Sequence, residues 1–305
     1  MENLSSIWPL FPLAFAKSVP LILAATGGLY SERTGVVNIG LEGMMLSGAL
    51  AGIIGTYYSH NPWIGLAAAI AAGIILALIL AVTSVSLGIN QIVSGIAVNI
   101  LAIGLTGGLL FKIFGGYGSS PSVEKLPQVS LHPIPLLSEL LGNQSILFYF
   151  AVILVIVTFF LINNTRLGLR MRAAGEDPGV AASCGINVFR IRYFGVLMSG
   201  ALSGMAGAYL SLADLSQFVE RMTAGRGFIA LAVLILGRWK PFNILLVCLF
   251  FGLAEALAEF LQGIELTIPA QFLLMLPFIL TLFVMGGLIG ETKPPACLGK
   301  SYQAE

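Results

Sequence analysis

The amino-acid sequence consists largely of apolar runs of about twenty residues, separated by short polar intervals. A helix of that length crosses the hydrocarbon core of a bilayer, and in lipid only helices and closed barrels satisfy their own backbone hydrogen bonds. Only 10% of the residues are charged, whereas ordinary soluble domains carry about 25%. The sequence therefore predicts an all-α, polytopic transmembrane bundle.

We expect a single transmembrane domain over residues 1–305, with about eight to nine spans and some broken helices. The run 225–237 has glycine at both ends and is too short for a comfortable crossing, which is typical of a broken helix in a transporter. The predicted spans are 12–30, 36–58, 63–87, 90–114, 145–163, 193–212, 225–237, 242–262 and 270–290. In the span 193–212, three glycines are predicted to allow close helix contact, namely Gly200, Gly204 and Gly207.

The polar loop 164–192 carries five of the fifteen basic residues. Within it, Asp177 is suited to cap a short helix, Pro178 to its first position and Gly185 to its end. A short capped helix flanked by arginines indicates a docking element for a soluble partner. The alternative is a solvated loop whose arginines only set the topology.

Basic residues accumulate in cytoplasmic loops, so the loop 164–192 is predicted to be cytoplasmic. The interval 115–143 is rich in proline and poor in basic residues, and we expect it outside, with room for a small folded piece. The basic residues that then share the cytoplasmic face with the loop are Arg33, Arg238, Lys240, Lys293 and Lys300.

Several polar side chains fall inside the predicted spans. An ionisable group at membrane depth costs at least about 2.5 kcal/mol, so it normally faces the bundle interior or an aqueous path. Glu255 and Glu259 are four residues apart and share a helix face. Asn38 and Glu42 adjoin a glycine-rich break, and transporters place such breaks beside the substrate. The candidate path residues are Asn38, Glu42, Asn90, Asn99, Glu255 and Glu259.

Of these residues, Asn38, Glu42 and Asn99 are predicted to lie nearer the path than Glu255. The alternative is that such groups make polar contacts that hold neighbouring helices in register. An intramembrane enzyme that uses Glu255 and Glu259 as paired acids is a weaker interpretation, because the sequence lacks a set of metal ligands beside them.

Other classes of site are not indicated. A net charge of +1 argues against a nucleic-acid partner, which requires a basic face. Cys184, Cys248 and Cys297 are odd in number and widely spaced, a pattern typical of neither a metal site nor a disulfide framework. The sequence predicts no metal site and no catalytic residue.

Four stretches, in chain order, resemble the membrane permease subunits of bacterial ABC importers for simple sugars and nucleosides. They are residues 32–45, residues 173–188, which resemble the coupling loop of that family, and residues 199–208 and 224–232. Glu-Arg-Thr-Gly at 32–35 and Gly-Arg-Gly-Phe at 225–228 resemble the nucleoside branch more than the ribose or galactose branch. The chain looks like the shorter of two unlike, paired permeases.

The resemblance implies several partners: a cytoplasmic ATPase that binds ATP and Mg²⁺, a second homologous permease, an extracytoplasmic substrate-binding lipoprotein and membrane lipid. It also implies a bacterial or archaeal cytoplasmic membrane, with no cofactor and no hydrolysis on this chain. By analogy, a short helix from Pro178 to Cys184 seats in a groove of the ATPase. The coupling residues implied are Gly175, Glu176, Asp177, Pro178, Gly179, Ala182 and Gly185.

Two alternatives remain at this point. One is a permease of the ribose, galactose or autoinducer-type sugar branch. The other is a secondary transporter or channel driven by ions through Glu42 and the pair Glu255 and Glu259.

Overall fold

The computed structural model describes residues 10–116, 118–130, 143–263, 275, 279 and 293–302. Ten α-helices and two short strands lie within these residues. The helices are α1 (Leu10–Arg33), α2 (Leu41–Ser59), α3 (Pro62–Ala81), α4 (Gln91–Phe114), α5 (Ile146–Asn164), α6 (Arg166–Glu176), α7 (Pro178–Ser183), α8 (Val188–Ala208), α9 (Arg226–Leu236) and α10 (Pro241–Gly263). π-Helical turns, Val82–Ser86 and Tyr209–Asp214, extend α3 and α8.

Six helices of the described part are long and apolar enough to cross a membrane, namely Leu10–Arg33, Pro62–Ser86, Gln91–Phe114, Ile146–Asn164, Val188–Asp214 and Pro241–Gln262. Helix α2 has 19 residues but is less apolar than these six, and α9 is an apolar helix of 11 residues. The predicted span 270–290 lies outside the described residues, apart from Met275 and Ile279. The protein is therefore a multi-pass helical membrane protein, with six such helices described where eight to nine spans were predicted.

Helix α8 lies at the centre of the bundle and packs against α1, α2 and α3. In α8 and its π-helical extension, 83% of the apolar stretch is buried, against 33–39% in α3, α4, α5 and α10. Glycines allow this close packing. A methyl group at Gly204 would collide with the carbonyl oxygen of Ala69 in α3, and one at Gly207 with that of Met45 in α2. The prediction that glycines of this span permit close helix contact is confirmed.

One end of the bundle gathers the segments that carry most of the predicted cytoplasmic basic residues. Arg33 Nη2 donates to the carbonyl of Trp239, 2.6 Å away, in the turn between α9 and α10. The N–H of Cys297 donates to the carbonyl of Gly175 in α6, at 2.9 Å. The turn 34–40, which joins α1 to α2, lies at the same end. This grouping is what a shared membrane face requires; the assignment of that face to the cytoplasm stays a prediction.

The opposite end holds the described part of the interval 115–143. Residues 118–130 run beside the chain that follows α8, where the N–H of Ser120 donates to the carbonyl of Phe218 at 2.9 Å and that of Val123 to Ser216 at 2.8 Å. Strands β1 (Gln128–Ser130) and β2 (Asn143–Ser145) pair antiparallel. These strands correct a strictly all-α description, because backbone groups outside a helix need partners of their own.

Candidate functional site

The loop predicted to dock a partner forms two helices, α6 and α7. Asp177 Oδ1 accepts from the N–H groups of Gly179 and Val180, both at 3.0 Å, and Pro178 occupies the first position of α7. Gly185, at φ +77°, follows the end of this helix. The predicted cap, start and stop of the short helix are confirmed, since each residue satisfies a backbone need that a helix terminus creates.

The two helices turn different residues inward. In α7 only Ala181 is buried, while Val180 on the outer face is 60% exposed. In α6 Gly175 is buried, and a methyl group there would collide with the carbonyl of Arg33. Gly175 is therefore a packing residue. The other predicted coupling residues lie at the surface or half-buried, and they are Glu176, Asp177, Pro178, Gly179, Ala182 and Gly185.

The polar residues of the break between α1 and α2 are held by other helices. Asn38 is fully buried, and its Nδ2 donates to Ser199 Oγ in α8 at 2.8 Å. Asn99 in α4 bonds to the chain just before and just after the start of α2. Its Oδ1 accepts from the N–H of Gly43 at 2.8 Å, and its Nδ2 donates to the carbonyl of Ile39 at 2.9 Å. These bonds fix the break against α4 and α8.

Asn90 lies elsewhere. It is exposed, and its Oδ1 accepts from the N–H of Ile92 at 2.9 Å, so that it caps the first turn of α4.

Glu42 joins the start of α2 to the start of α9. Its Oε1 accepts from the hydroxyl of Thr223 at 2.6 Å and from the N–H of Gly225 at 2.8 Å, and its Oε2 accepts from the N–H of Gly227 at 2.7 Å. The N-terminus of a helix has unpaired N–H groups and a positive dipole end, and both favour a carboxylate. Glu42 therefore replaces the side-chain cap that α9 lacks at Gly225.

A cavity of about 530 Å³ lies between α1, α9 and α10. Glu255 forms an ion pair with Arg226, and Lys17 Nζ lies 3.0 Å from Glu259 Oε2 and 3.6 Å from Asp214 Oδ2. We name these five residues the charge cluster. Four of them line the cavity; Asp214 ends the π-helical turn after α8. Two cations thus face three carboxylates, so the cluster carries one more negative than positive group.

The rest of the cavity wall is largely apolar, being formed by Leu21, Ala224, Ile229, Phe251, Ala258 and Gln262. An apolar wall with a few convergent polar groups is typical of a site for a small organic molecule. No group of three or more His, Cys, Asp or Glu side chains suited to hold a metal ion occurs among the described residues.

The structure brings Glu255 and Glu259 together in the cavity, as the shared helix face indicated, and the described residues that line this cavity do not include Asn38 or Asn99. The prediction that Asn38, Glu42 and Asn99 lie nearer the path than Glu255 stays a prediction. Sequence reasoning did not single out Lys17 and Arg226. Both stand within predicted spans that contain no other basic residue, and this was the available signal, because a cation at membrane depth needs an acidic partner.

Comparison with known proteins identifies the relatives of this chain. Residues 13–285 match the family described as the branched-chain amino acid transport system permease component. The guanosine ABC transporter permease protein NupQ of Bacillus subtilis (strain 168) is 37% identical over 310 residues, covering 95% of each chain. The nucleoside ABC transporter permease protein NupC of Lactococcus lactis subsp. cremoris (strain MG1363) is 36% identical, covering 93% of each.

A second guanosine ABC transporter permease protein of Bacillus subtilis (strain 168), NupP, is 26% identical over 87% of this chain and 78% of its own. A solved structure of a metal-chelate type ABC transporter in an inward-facing conformation matches with a TM-score of 0.51, over 92% of this chain and 86% of that chain, at 16% identity. That likeness concerns the fold alone. With a family match over most of its length, the chain belongs to the permease subunits of ABC transporters, in the family of branched-chain amino acid transport system permease components.

Proposed function

We propose that this chain is a permease subunit of an ATP-driven importer of nucleosides. The observation that carries the proposal is the similarity, along almost the whole chain, to one protein named as a guanosine permease and one named as a nucleoside permease. The Glu-Arg-Thr-Gly and Gly-Arg-Gly-Phe stretches favour the same branch over ribose and galactose permeases.

The chain is a membrane component and not an enzyme, as its family indicates. ATP and Mg²⁺ bind to a separate ATPase subunit on the cytoplasmic side of a bacterial or archaeal membrane. A second, unlike permease completes the transporter. The similarity of this chain to both NupQ and NupP, two guanosine permeases of one organism, supports that pairing. An extracytoplasmic, lipid-anchored binding protein delivers the solute.

The solute passes through the cavity between α1, α9 and α10. Glu255 and Glu259 offer carboxylate oxygens that accept hydrogen bonds from sugar hydroxyls, while Arg226 and Lys17 keep these carboxylates paired when no solute is present. The apolar part of the wall suits a base. A neutral solute with one polar and one apolar part is complementary to such a cavity.

In this proposal, and against the prediction from the sequence, Asn38, Glu42 and Asn99 hold helices in register. Their hydrogen bonds are directed at backbone groups and at the hydroxyls of Ser199 and Thr223. Asn90 caps α4. This is the second of the two roles that the sequence left open for these residues.

Helix α7 carries the force of the ATPase to the bundle. Its exposed face includes Gly179 and Val180, and its inner face rests on α6 and α8 through Ala181. Movement of the ATPase groove would therefore be transmitted to the bundle through a rigid, capped helix.

The test is uptake of labelled nucleosides and of ribose in cells that carry the whole transporter, with and without this chain. Parallel samples have ATP depleted while the ion gradients are held. We expect deletion to abolish ATP-dependent nucleoside uptake. Ribose uptake in its place would move the chain to the neighbouring branch, and uptake that ignores ATP but follows an ion gradient would overturn the proposal.

A further inference from the structure

Residues 293–302 cross the end of the bundle that carries α6 and α7, and we name them the C-terminal strap. The strap is fastened to the last turn of α6 by two hydrogen bonds. The N–H of Cys297 donates to the carbonyl of Gly175 at 2.9 Å, and the N–H of Ala296 to Glu176 Oε2 at 3.2 Å. The strap therefore reaches the helix that immediately precedes α7.

The strap is also bonded to the break between α1 and α2. The N–H of Gly299 donates to the carbonyl of Gly35 at 3.3 Å. Gln91, at the start of α4, bridges the two segments. Its Nε2 donates to the carbonyl of Lys300 at 3.4 Å, and its Oε1 accepts from the N–H of Val37 at 2.7 Å. One short segment thus connects α6, the break and α4.

A buried arginine supports the far part of the strap. Arg192 in α8 is 1% exposed, and its Nη1 donates to the carbonyl of Lys300 at 3.1 Å. Its guanidinium carbon lies 5.9 Å from the centre of the Tyr302 ring, which packs against Phe189. Tyr302 also contacts the apolar cluster formed by α6, α7 and the start of α8.

Within the part of the chain that the structure describes, the guanidinium of Arg192 is only partly hydrogen-bonded. Its Nε and Nη2 have no hydrogen-bond partner among the described residues, and none of these residues forms an ion pair with it. A buried guanidinium normally fills its donors, so an arrangement of the strap that offers them further acceptors would be favoured by Arg192. The contact between Arg192 and the strap is therefore suited to change between two states.

We propose that the C-terminal strap transmits movement of α6 and α7 to the break between α1 and α2, and that Arg192 and Gln91 are positioning residues for this transmission. The proposal rests on the proposed function, in that an ATPase moves α7. Gly175 also packs directly on the backbone of Arg33, but a packing contact transmits only movement of α6 toward α1. The hydrogen bonds of the strap allow α6 to pull on the break and on α4 as well.

The first experiment removes every residue of the strap that forms the hydrogen bonds described, by ending the chain of the complete transporter after Pro294. ATP hydrolysis and nucleoside uptake are then measured in the same vesicles. We expect hydrolysis to stay near the wild-type rate while uptake falls by about tenfold, the scale of a typical coupling between two sites. Unchanged uptake would contradict the proposal. So would loss of the assembled complex, because the strap would then be a structural element only.

A pair of point variants gives a matched comparison. Arg192→Met removes the guanidinium that holds the carbonyl of Lys300, whereas Lys300→Ala removes an exposed side chain and keeps that carbonyl. We expect Arg192→Met to raise the ATP hydrolysed per nucleoside imported, with Lys300→Ala unchanged. Equal effects of the two variants would overturn the role of Arg192.

A second experiment uses the native thiol of Cys297, which is half-buried in the strap. The variant Cys184→Ser removes the exposed thiol that directly follows α7, and Cys248 is buried. We expect a small polar thiol reagent to modify Cys297 at clearly different rates in the nucleotide-free and ATP-trapped transporter. Equal modification rates of Cys297 in the two states would contradict the role proposed for the strap. The measurement does not depend on the solute, so it separates failure of the strap from failure of the nucleoside assignment.

Discussion

Single residues in this protein join parts of the chain that are far apart in sequence. Glu42 binds the start of α9, Asn99 binds the turn before α2, and Arg33 binds the turn before α10. Each of these side chains satisfies backbone groups that lipid could not satisfy. Their energetic role can be tested separately from transport.

We expect Glu42→Ala to lower the free energy of unfolding by about 2–4 kcal/mol, because it leaves the hydroxyl of Thr223 and two N–H groups of α9 without their charged acceptor. The measurement is the thermal unfolding midpoint of the purified transporter in detergent. Glu124→Ala, at an exposed position near the opposite end, is the control and should leave that midpoint unchanged. Equal midpoints for the two variants would contradict the capping role.

The ion pair between Arg226 and Glu255 calls for a double substitution. Arg226→Met alone leaves a carboxylate unpaired in a partly buried place, and we expect a loss of about 1–3 kcal/mol. Arg226→Met combined with Glu255→Leu should recover most of that stability but no uptake, if the carboxylate also serves the solute. Stability and uptake are measured on the same preparations, and recovery of both would remove Glu255 from the solute path.

At the scale of elements, α8 is held by close backbone contacts with α2 and α3. We expect Gly204→Ala to destabilise the fold by about 1–3 kcal/mol, since the added methyl group meets backbone atoms of Ala69 that cannot turn aside. Gly108→Ala in α4 adds a methyl group that meets no atom of the described residues within 4 Å, and it should be neutral or slightly stabilising. The yield of folded protein after mild heating distinguishes the two, and similar yields would contradict the packing argument.

Binding of the ATPase to helix α7 can be tested with a substitution that leaves the fold intact. Gly179 is exposed, and among the described residues a Cβ atom added there would meet only Asp177 Oδ1, at 3.4 Å, so Gly179→Glu can point its side chain into solvent. We expect this variant to weaken ATPase binding at least about tenfold, with the thermal midpoint of the isolated permease unchanged. Ser183→Ala on the same helix is the control. Normal ATPase binding by Gly179→Glu would reject α7 as the docking element.

The sequence predicted local features well. The cap at Asp177, the stop at Gly185 and the close contacts of the glycines in α8 depend on neighbouring residues or on helix periodicity, and both are visible in the chain. The partners of Glu42 and Glu255 were not predictable in this way, because each contact joins residues whose separation in the sequence carries no periodic signal. The two short strands were not predicted either, because their pairing joins residues 128–130 to 143–145 across a segment without a periodic pattern.

At the scale of the whole molecule, the two ends of the bundle differ in chemistry. One end holds α7 and the C-terminal strap. The cavity with Glu259 lies nearer the other end, because Lys17 joins Glu259 to Asp214. Asp214 directly precedes the segment that packs on residues 118–130 at that end. This separation makes the predicted sidedness testable with thiol reagents that do not cross the membrane.

In a background with Cys297→Ser, we expect native Cys184 to react only from the cytoplasmic side. With Cys184→Ser added, Glu259→Cys should react from outside and should be protected by a nucleoside. Asn38→Cys, whose position is fully buried, is the comparison. Reaction of Cys184 from outside would invert the topology, and a reaction at position 38 stronger than at 259 would favour the break as the path.

The hydrogen bonds of Glu42 also have a consequence for how the chain is made. Its partners lie 181–185 residues further along the sequence, and a ribosome needs about 10–40 s to reach them. During that time α2, a helix less apolar than the six spanning helices, carries a carboxylate without the N–H groups that later stabilise it. The final packing of an early helix therefore waits for a late one, and a nascent chain cut short before Thr223 would leave the carboxylate of Glu42 without these three partners.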